Sequence, residues 1–396
     1  MKTYVLTIIM LFSFTQCQKG DIGHTQACAF NYPSANDLHP KAAKFKSILK
    51  KYNTLGLPGI SLLIRDKSGS YIQSVGKADL DRGIDFAPCT VAKVASITKM
   101  FTGSLVHKLA EEKVFKLDDQ IDRWLDEDVL KKVTNARGAT IRQLMNHTTG
   151  IYDVITSNAF YLALLNQPDK KWEPEELIKY AYGKEPRFEL GKSCFYSNTN
   201  TLLLSMVVTR ATGKSNVELL REKILTPLGM SDTYYYTHES LPDITAQGYF
   251  DLYNNQSLVN VTNFNTGSGH GYGGFFSTVM DLQKFIEPLL KTKTLLKAES
   301  YQEMTKFIPE VDPDDPTNDL SLGAGLMKRY FNQPLTSDRY GFGHTGRDLG
   351  YSANAFYFPN YDVTCCFILN YGTNAASELR EVFYDFQDEI TSALFD

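Results

Sequence analysis

Two stretches of the chain have a serine three residues before a lysine, a pairing that can supply a nucleophile with its own base. One is Ser96-Ile97-Thr98-Lys99 and the other is Ser47-Ile48-Leu49-Lys50. A serine hydroxyl attacks a carbonyl carbon when a neighbouring group takes its proton, and a neutral lysine amine can do this. About one or two chance matches to S-x-x-K are expected in a chain of this length. The surroundings of each pair must therefore decide between them.

The predicted surroundings favour Ser96. Ser47 falls inside the lysine-rich amphipathic pattern PKAAKFKSILKKY, where nothing activates its hydroxyl. Ser96 falls where a helix is predicted to begin, and the free N–H groups and the dipole of a helix start stabilise an alkoxide or an oxyanion. Lys99 shares its helix face, and burial would favour the neutral amine. A solvated serine beside a surface lysine is the alternative that this pattern leaves open.

Two further short motifs follow in order along the chain. Tyr196-Ser197-Asn198 is predicted on a loop before an apolar helix, and His344-Thr345-Gly346 on a late strand. Each is weak alone, since Y-x-N occurs twice more. Lys67-Ser68-Gly69 fits a variant of the third motif, but it precedes Ser96 and lies in a predicted hairpin turn. The order of the three motifs is therefore more informative than any one of them.

With its motifs in this order, the chain resembles the serine β-lactamase and penicillin-binding-protein superfamily. It is most similar to the branch that holds class C β-lactamases, D-alanyl-D-alanine carboxypeptidases and related esterases. The supporting stretches include SITKMFTG, LDDQIDRWL, IRQLMNHTTGI, SNTNTLLL, LTPLGMSDT and GYGGFFSTVMDLQKFI. The similarity covers roughly residues 40 to 395, which is nearly the whole chain.

The resemblance implies a role for each residue of the first two motifs. Ser96 would be the acylated nucleophile, and Lys99 would accept its proton. Tyr196 would work with Lys99, passing the proton to the leaving group and later activating water. Asn198 would hold the amide side chain of the substrate.

The resemblance also implies that the third motif lines the opposite side of the cleft. His344, Thr345 and Gly346 would form that wall. The backbone N–H groups of Ser96 and Arg347 would form the oxyanion hole, each contributing about 3–4 kcal/mol. A side chain at Gly346 would obstruct close approach of the acyl group.

Two departures from the family pattern bear on the substrate. The third motif begins with His344 where β-lactamases usually have lysine; a neutral histidine is a poorer anchor for a carboxylate, although Arg347 could substitute. The E-x-x-L-N motif of class A β-lactamases is missing, with Leu162 where its glutamate belongs. The resemblance thus implies a D-alanyl-D-alanine carboxypeptidase, a D-amino-acid peptidase or an esterase. The alternatives are a β-lactamase, or a non-hydrolytic penicillin-binding or sensing protein of the same fold.

The composition argues against several other classes. The chain has 396 residues, 43% of them hydrophobic, and a formal net charge of -4, which is ample for a large core. The mild acidity and the lack of a clustered Lys/Arg stripe argue against a nucleic-acid partner. No H-E-x-x-H or C-x-x-C pattern occurs, so neither a metal nor another cofactor is predicted. The expected partner is a small molecule or peptide: a D-Ala-terminated peptide, an ester or a β-lactam.

The N-terminus is typical of an export signal. Lys2 is followed by an apolar run, so residues 1–16 are predicted to be a signal peptide. Cys17, directly after this run, resembles the lipidated cysteine of a bacterial lipoprotein, although Gln16 departs from the small residue usually found there. Residues 17–39 would be a tether. The protein is expected to be exported, either periplasmic or anchored to the membrane, with secretion after cleavage without lipidation as the alternative.

The order of the predicted elements indicates an α+β fold. An amphipathic helix and a hairpin (PGISLLIRD, YIQSVGKAD) come first, helices fill the middle, and strands with a last helix close the chain. Pairing the hairpin with the late strands gives one antiparallel sheet flanked by N- and C-terminal helices, plus a large helical lobe. The predicted boundaries are 40–396 for the hydrolase domain, with a sheet lobe at 40–90 and 315–396 and a helical lobe at 95–310. A cleft between the lobes is the expected site.

The cysteines do not suggest a disulfide framework. If Cys17 is lipidated, five remain, which is an odd number. Cys365 and Cys366 are adjacent in a predicted strand, so their side chains should point to opposite faces. Most of the cysteines are expected to be small buried hydrophobes.

The stretch His147-Thr148-Thr149-Gly150 is given a structural role. It comes at the end of a helix predicted over 140–147. Gly150 is expected to cap that helix, because glycine adopts the left-handed conformation of a helix end without strain.

Overall fold

The computed structural model describes residues 22–312, 319–331, 333–373 and 377–395. The predicted signal peptide and Cys17 therefore lie outside the described residues. No helix within these ranges is long and apolar enough to cross a membrane.

A nine-stranded antiparallel sheet forms the base of the molecule. The strands of the chain are β1 (Gly59–Asp66), β2 (Gly69–Asp79), β3 (Ile84–Asp85), β4 (Ala92–Lys93), β5 (Tyr234–Tyr235), β6 (Tyr249–Phe250), β7 (Val259–Asn260), β8 (Phe275–Ser277), β9 (Ile308–Pro309), β10 (Leu320–Leu322), β11 (Met327–Arg329), β12 (Gly341–Asp348), β13 (Tyr351–Phe358) and β14 (Val363–Leu369). The large sheet has the order β3-β2-β1-β14-β13-β12-β11-β10-β9. Three short strands, β4-β8-β5, form a second sheet, and β6 pairs with β7.

The early hairpin joins the late strands, as predicted. β1 pairs antiparallel with β2 on one side and with β14 on the other, where Ile60 lies opposite Leu369. Nearly every residue of β1 and all of β14 is buried, which is typical of central strands that are covered on both faces. The predicted α+β fold is confirmed.

Helices cover both faces of the large sheet. They are α1 (Ala42–Thr54), α2 (Thr98–Glu111), α3 (Glu127–Lys132), α4 (Ile141–Met145), α5 (Asn158–Asn166), α6 (Pro174–Leu177), α7 (Asn198–Thr212), α8 (Asn216–Leu220), α9 (Val279–Ile286), α10 (Ala298–Met304) and α11 (Glu378–Ala393). The first and last, α1 and α11, pack on one face, and the others belong to the helical lobe on the other. Cys365 lies in the apolar cluster beneath α1 and α11, and Cys366 lies in the cluster of the helical lobe. The two thiols thus point to opposite faces, as predicted.

The His147 stretch does not end its helix in the predicted way. α4 stops at Met145 with Asn146 as its C-cap, and His147 itself adopts a left-handed φ of 58°. Gly150 has φ 70°, and a Cβ there would lie 2.2 Å from the carbonyl oxygen of Phe188. The glycine is therefore required by close packing of two loops and not by a helix end.

The described residues before α1 are attached to the body. Cys28 forms a disulfide with Cys89, 61 residues away, and the buried Thr25 hydroxyl donates to the carbonyl oxygen of Thr245 at 2.7 Å. This corrects the expectation for the cysteines, since a bond across so long a separation has no spacing signature in the sequence. The remaining described cysteines are buried free thiols: Cys194, Cys365 and Cys366.

Candidate active site

Ser96 lies in a tight turn between the small sheet and α2. The turn, Ala95–Ile97, has 3-10 geometry, and its first residue adopts a left-handed φ of 48°. The Val94 N–H donates to a carbonyl of β8 at 2.9 Å, and the Thr98 hydroxyl donates to the Ala95 carbonyl at 2.7 Å. These bonds hold Ser96 partly exposed at the start of α2.

Lys99 is buried beneath Ser96, with 1% of its surface exposed. Its Nζ lies 3.1 Å from Ser96 Oγ, and 2.7 Å from both Asn198 Oδ1 and the Tyr272 carbonyl oxygen. Burial lowers the pKa of Lys99 to about 7, although nearby negative charges, first that of Asp153, oppose the shift. This shift favours the neutral amine, the form of lysine that can accept a proton from a hydroxyl.

A buried carboxylate fixes the orientation of the Asn198 amide. Asn198 begins α7; its Oδ1 accepts from Lys99, and its Nδ2 donates to Asp153 Oδ2 at 2.9 Å. Asp153 also accepts from the Ile155 N–H at 3.2 Å. Burial raises the pKa of Asp153, while its bonds to Asn198 and Ile155 and the charge of Lys99 oppose this. Because an ionised carboxylate only accepts, the amide cannot rotate without losing both bonds.

The Tyr196 phenol faces Ser96 and has no fixed partner. Its ring stacks on His147, with 4.7 Å between centroids and 22° between planes, and Lys99 Nζ lies 4.8 Å from its centroid. The buried hydroxyl lacks a partner at hydrogen-bond geometry. Burial raises the pKa of Tyr196, and the nearby Ser96 hydroxyl opposes this rise. The phenol is thus available to a substrate or a water molecule.

His147 is neutral and holds the loop that carries Tyr196. Burial, followed by the charge of Lys99, lowers the pKa of His147 to about 3. Its Nδ1 accepts from the Ser197 N–H at 3.2 Å and lies 3.2 Å from Asn200 Nδ2. Two donors meet this nitrogen, so Nδ1 is the unprotonated one.

The third motif lies on the part of β12 that borders the cleft. β11 pairs only with the first three residues of β12, ending at Gly343. Among the described residues, β12 from His344 onward therefore has no neighbouring strand on that side. Thr345 lines the cleft, with its Oγ1 3.6 Å from Met327 Sδ.

His344 and Gly346 face the lobe that carries Ser96. His344 is 1% exposed, its ring centroid is 6.0 Å from that of Tyr196, and burial lowers its pKa well below the usual value. A Cβ on Gly346 would lie 2.0 Å from the Val94 carbonyl oxygen. The structure thus gives a different reason for this glycine than the expected approach of an acyl group: β12 packs directly on the Ser96 turn.

Arg347 borders the cleft, but its guanidinium lies on the other face of the sheet. Its Nη1 donates to Asn354 Oδ1 and its Nη2 to Gln387 Oε1 on α11, both at 2.9 Å. The group lies 4.5 Å from the ring centroid of Phe383. Burial lowers the pKa of Arg347 to about 10. The expectation that this side chain could replace the missing lysine as a carboxylate anchor is wrong.

The structure brings most of the predicted site residues together at one cleft of about 400 Å³. The residues that meet there or directly beneath it are Ser96, Lys99, Tyr196, Asn198, His344, Thr345 and Gly346. The described ranges contain no group of three or more His, Cys, Asp or Glu side chains positioned to hold a metal ion.

The sequence motifs did not indicate Asp153 and His147. Asp153 orients Asn198, and His147 supports Tyr196, so both act one layer behind the cleft. The available signal was their position in HTTGIYD, a stretch whose first residues already resembled the family.

Comparison with known proteins identifies the family of the chain. The family model described as Beta-lactamase matches residues 45–387. The chain belongs to the beta-lactamase family. The predicted resemblance is confirmed, and the family includes serine hydrolases that act as peptidases and amidases.

Individual relatives are distant. Protein flp of Staphylococcus aureus (strain MRSA252) is 26% identical over 262 residues, which cover 64% of this chain and 50% of that protein, so the match spans half its length. The D-alanyl-D-alanine-carboxypeptidase/endopeptidase AmpH of Escherichia coli (strain K12) is 24% identical over 279 residues, 69% of each chain. The structure of D-amino acid amidase from Ochrobactrum anthropi SV3, complexed with L-phenylalanine amide, has a TM-score of 0.77 and 25% identity, covering 89% of this chain and 97% of that one.

Proposed function

We propose that this protein is a serine hydrolase that forms an acyl-enzyme on Ser96 and cleaves peptide, amide or ester bonds in derivatives of D-amino acids. The observation that carries the proposal is the 3.1 Å contact between Ser96 Oγ and the Nζ of buried Lys99, at the floor of an open cleft. Similarity to AmpH and to the D-amino acid amidase supports the substrate class.

In the proposed acylation, neutral Lys99 takes the Ser96 proton as Oγ bonds to the carbonyl carbon of the substrate. The backbone N–H groups of Ser96 and Arg347 would stabilise the oxyanion. Tyr196, whose hydroxyl is unpartnered, would carry the proton to the leaving amine or alcohol as the bond to it breaks. The product of this half-reaction is an ester on Ser96.

Deacylation uses the same groups in reverse. A water molecule gives its proton to the Tyr196 and Lys99 pair and attacks the ester carbon, and the Ser96 oxygen leaves with a proton returned by Lys99. Asp153 and Asn198 keep the amine pointed at Ser96 throughout, because each holds the other in a single orientation.

Covalent labelling tests the proposal. A penicillin and a fluorophosphonate are each incubated with the wild type and with Ser96→Ala, and intact mass is measured. We expect one adduct on the wild type and none on the variant. An adduct on both proteins, or none on the wild type with either probe, would contradict the proposal. A permanent adduct without turnover of a chromogenic ester would favour a binding or sensing protein instead.

We also propose that the chain is exported and lipidated at Cys17, on the strength of the apolar N-terminal run. Expression of the full chain with a tagged C-terminus in a bacterial host, followed by fractionation, measures this. Membrane-bound protein is expected for the wild type and released protein for Cys17→Ala. Release of both proteins would contradict lipidation at Cys17 and would support export by the signal peptide alone.

A further inference from the structure

One wall of the cleft is apolar and comes mainly from α5 and the turn before it. Phe160 and Leu164 are buried against the cleft, and Ile155 and Tyr161 stand at its mouth with 42% and 39% of their surface exposed. Binding is favoured when a large apolar group of a ligand covers this wall, because apolar surface is then removed from water.

The opposite wall is polar, and its hydroxyl groups are directed by a carboxylate. The Thr266 and Ser268 hydroxyls lie 3.0 Å and 3.4 Å from Asp348 Oδ2, which also accepts from Lys93 Nζ at 2.7 Å. A carboxylate bonded to Lys93 accepts and does not donate, so both hydroxyls donate toward it. The Thr266 oxygen also accepts from Lys93 Nζ at 3.4 Å and lies 3.1 Å from Ser268 Oγ. Because a hydroxyl oxygen has two lone pairs, Thr266 and Ser268 each keep one acceptor position for the cleft, which suits an N–H donor better than a carboxylate.

No cationic group in the described part of the cleft is free to pair with a carboxylate. The Arg347 guanidinium is bonded to α11 on the far face of the sheet. The three N–H bonds of a Lys99 ammonium are directed to Ser96, Asn198 and Tyr272. His344 is buried and neutral. A ligand carboxylate in this cleft would therefore lose water and gain hydroxyl or N–H donors but no cation, which disfavours the charged group.

A second cavity, of about 440 Å³, is lined by Tyr196 as well. Its described residues also offer no free cation to a ligand carboxylate. Its cation, Arg187, lies 3.4 Å from Asp312 Oδ1 and stacks on Phe195. Asp153 and Glu185 line the same cavity, so it is acidic overall. A carboxylate would meet like charge there as well.

We propose that the substrate is an amino-acid or peptide derivative whose carboxyl end is blocked as an amide or ester, with a large apolar side chain on the α5 wall and an N–H group facing Thr266 and Ser268. This inference rests on the proposed function and refines it, because it separates an amidase, esterase or endopeptidase from a carboxypeptidase. In each case the carbonyl carbon forms a bond to Ser96 Oγ and breaks its bond to the leaving nitrogen or oxygen, which takes the proton.

A matched pair of dipeptides tests the inference. D-Phenylalanyl-D-alanine amide and D-phenylalanyl-D-alanine share the phenylalanyl–alanine bond and differ in the terminal carboxylate. Release of D-alanine amide or D-alanine reports cleavage of the shared bond, and release of ammonia is measured separately because only the amide has a second hydrolysable bond. We expect kcat/KM for the amide to exceed that for the free acid at least tenfold, and D-alanyl-D-alanine amide to be at least tenfold poorer than its phenylalanyl counterpart. Equal or faster cleavage of the free acid would overturn the inference while leaving the proposed function intact. Absence of turnover and of the Ser96 label would remove both.

Variants of the cleft wall test the same preference for the amide over the free acid. Met327→Lys introduces a cation beside Thr345 and should raise the ratio of free-acid to amide cleavage at least tenfold, whereas Met327→Leu should keep the wild-type ratio. Leu349→Arg, also on the cleft wall, serves if the first variant does not fold. Tyr161→Ser should reduce the preference for phenylalanyl over alanyl substrates. Leu162→Ser, 59% exposed on α5 but outside the cleft, should not. Unchanged ratios in Met327→Lys or Leu349→Arg and in Tyr161→Ser would contradict the proposal.

Discussion

The helices α1 and α2 carry the same four-residue pattern in opposite surroundings. On α1, Ser47 and Lys50 are both exposed in the middle of the helix, so the amine is hydrated and the helix-start N–H groups are far away. On α2, Lys99 is buried and is held 3.1 Å from the hydroxyl of Ser96 by two oxygen acceptors. Spacing puts a hydroxyl and an amine on one helix face in both cases. Burial is what lowers the pKa of one of these amines.

The largest expected effect in this comparison is that of removing each hydroxyl. Ser96→Ala should lower kcat by roughly 10⁴- to 10⁶-fold, because no acyl-enzyme can form. Ser47→Ala should change kcat by less than about twofold, since the residue is exposed and distant from the cleft. Steady-state hydrolysis of D-phenylalanyl-D-alanine amide measures both. A large loss in Ser47→Ala at an unchanged melting temperature would contradict the assignment of chemistry to α2.

Replacing each amine should give the next largest difference. Lys99→Arg keeps a positive charge but removes the base, so kcat/KM should fall roughly 10²- to 10⁴-fold. Lys50→Arg should behave as the wild type. Pre-steady-state acylation by a fluorophosphonate gives a readout that does not depend on deacylation. Equal acylation rates in Lys99→Arg and the wild type would show that another group takes the Ser96 proton.

The smallest effect tests the environment of Lys99. An amine with a pKa of about 7 is protonated below that pH, so wild-type kcat/KM should rise as pH increases through about 7. Asp153 raises the pKa of Lys99, as Asp348 does to a smaller degree, whereas His147 and His344 are neutral. Asp153→Asn should therefore move this limb to lower pH. It should also lower the plateau about tenfold, the equivalent of one charge-assisted hydrogen bond.

Asp128→Asn is the matched control for this shift. Asp128 is exposed and pairs with Lys132 at 3.0 Å, far from the cleft. The pH dependence of kcat/KM for Asp128→Asn should coincide with that of the wild type. A purely structural role for Asp153 would lower the plateau without moving the acid limb, and that outcome would contradict the proposed coupling to Lys99.

The fold could be predicted from the sequence because the strands at both ends of the chain have recognisable apolar patterns. The alternating and apolar runs around Ile60 and Leu369 could be recognised as strands, and the absence of β-α-β order left one antiparallel sheet as the simplest arrangement. The adjacent Cys365 and Cys366 followed from the two-residue period of a strand. The disulfide between Cys28 and Cys89 could not be predicted, since it depends on where an irregular leader lies on the body.

The sequence predicted the site residues that belong to short motifs. It did not predict the features that depend on the direction of a side chain. Strand alternation offered one unused signal: if Gly346 faces the Ser96 turn, the side chain of Arg347 must face α11. Asp153 and His147 could not be assigned, because their roles depend on contacts with Asn198 and Tyr196 across 45 residues or more of sequence. The roles of all these residues stay predictions until the variants are measured.

The attachment of the residues before α1 to the body would limit how far a lipidated form of the protein can lie from a membrane. Under the proposal that Cys17 carries lipid, only eight residue steps separate it from Thr25, which is buried and bonded to Thr245. Fully extended, eight residues reach about 26–29 Å. This surface of the protein would then stay within about one bilayer thickness of the membrane, and under the proposed function its substrates would be compounds that enter that layer.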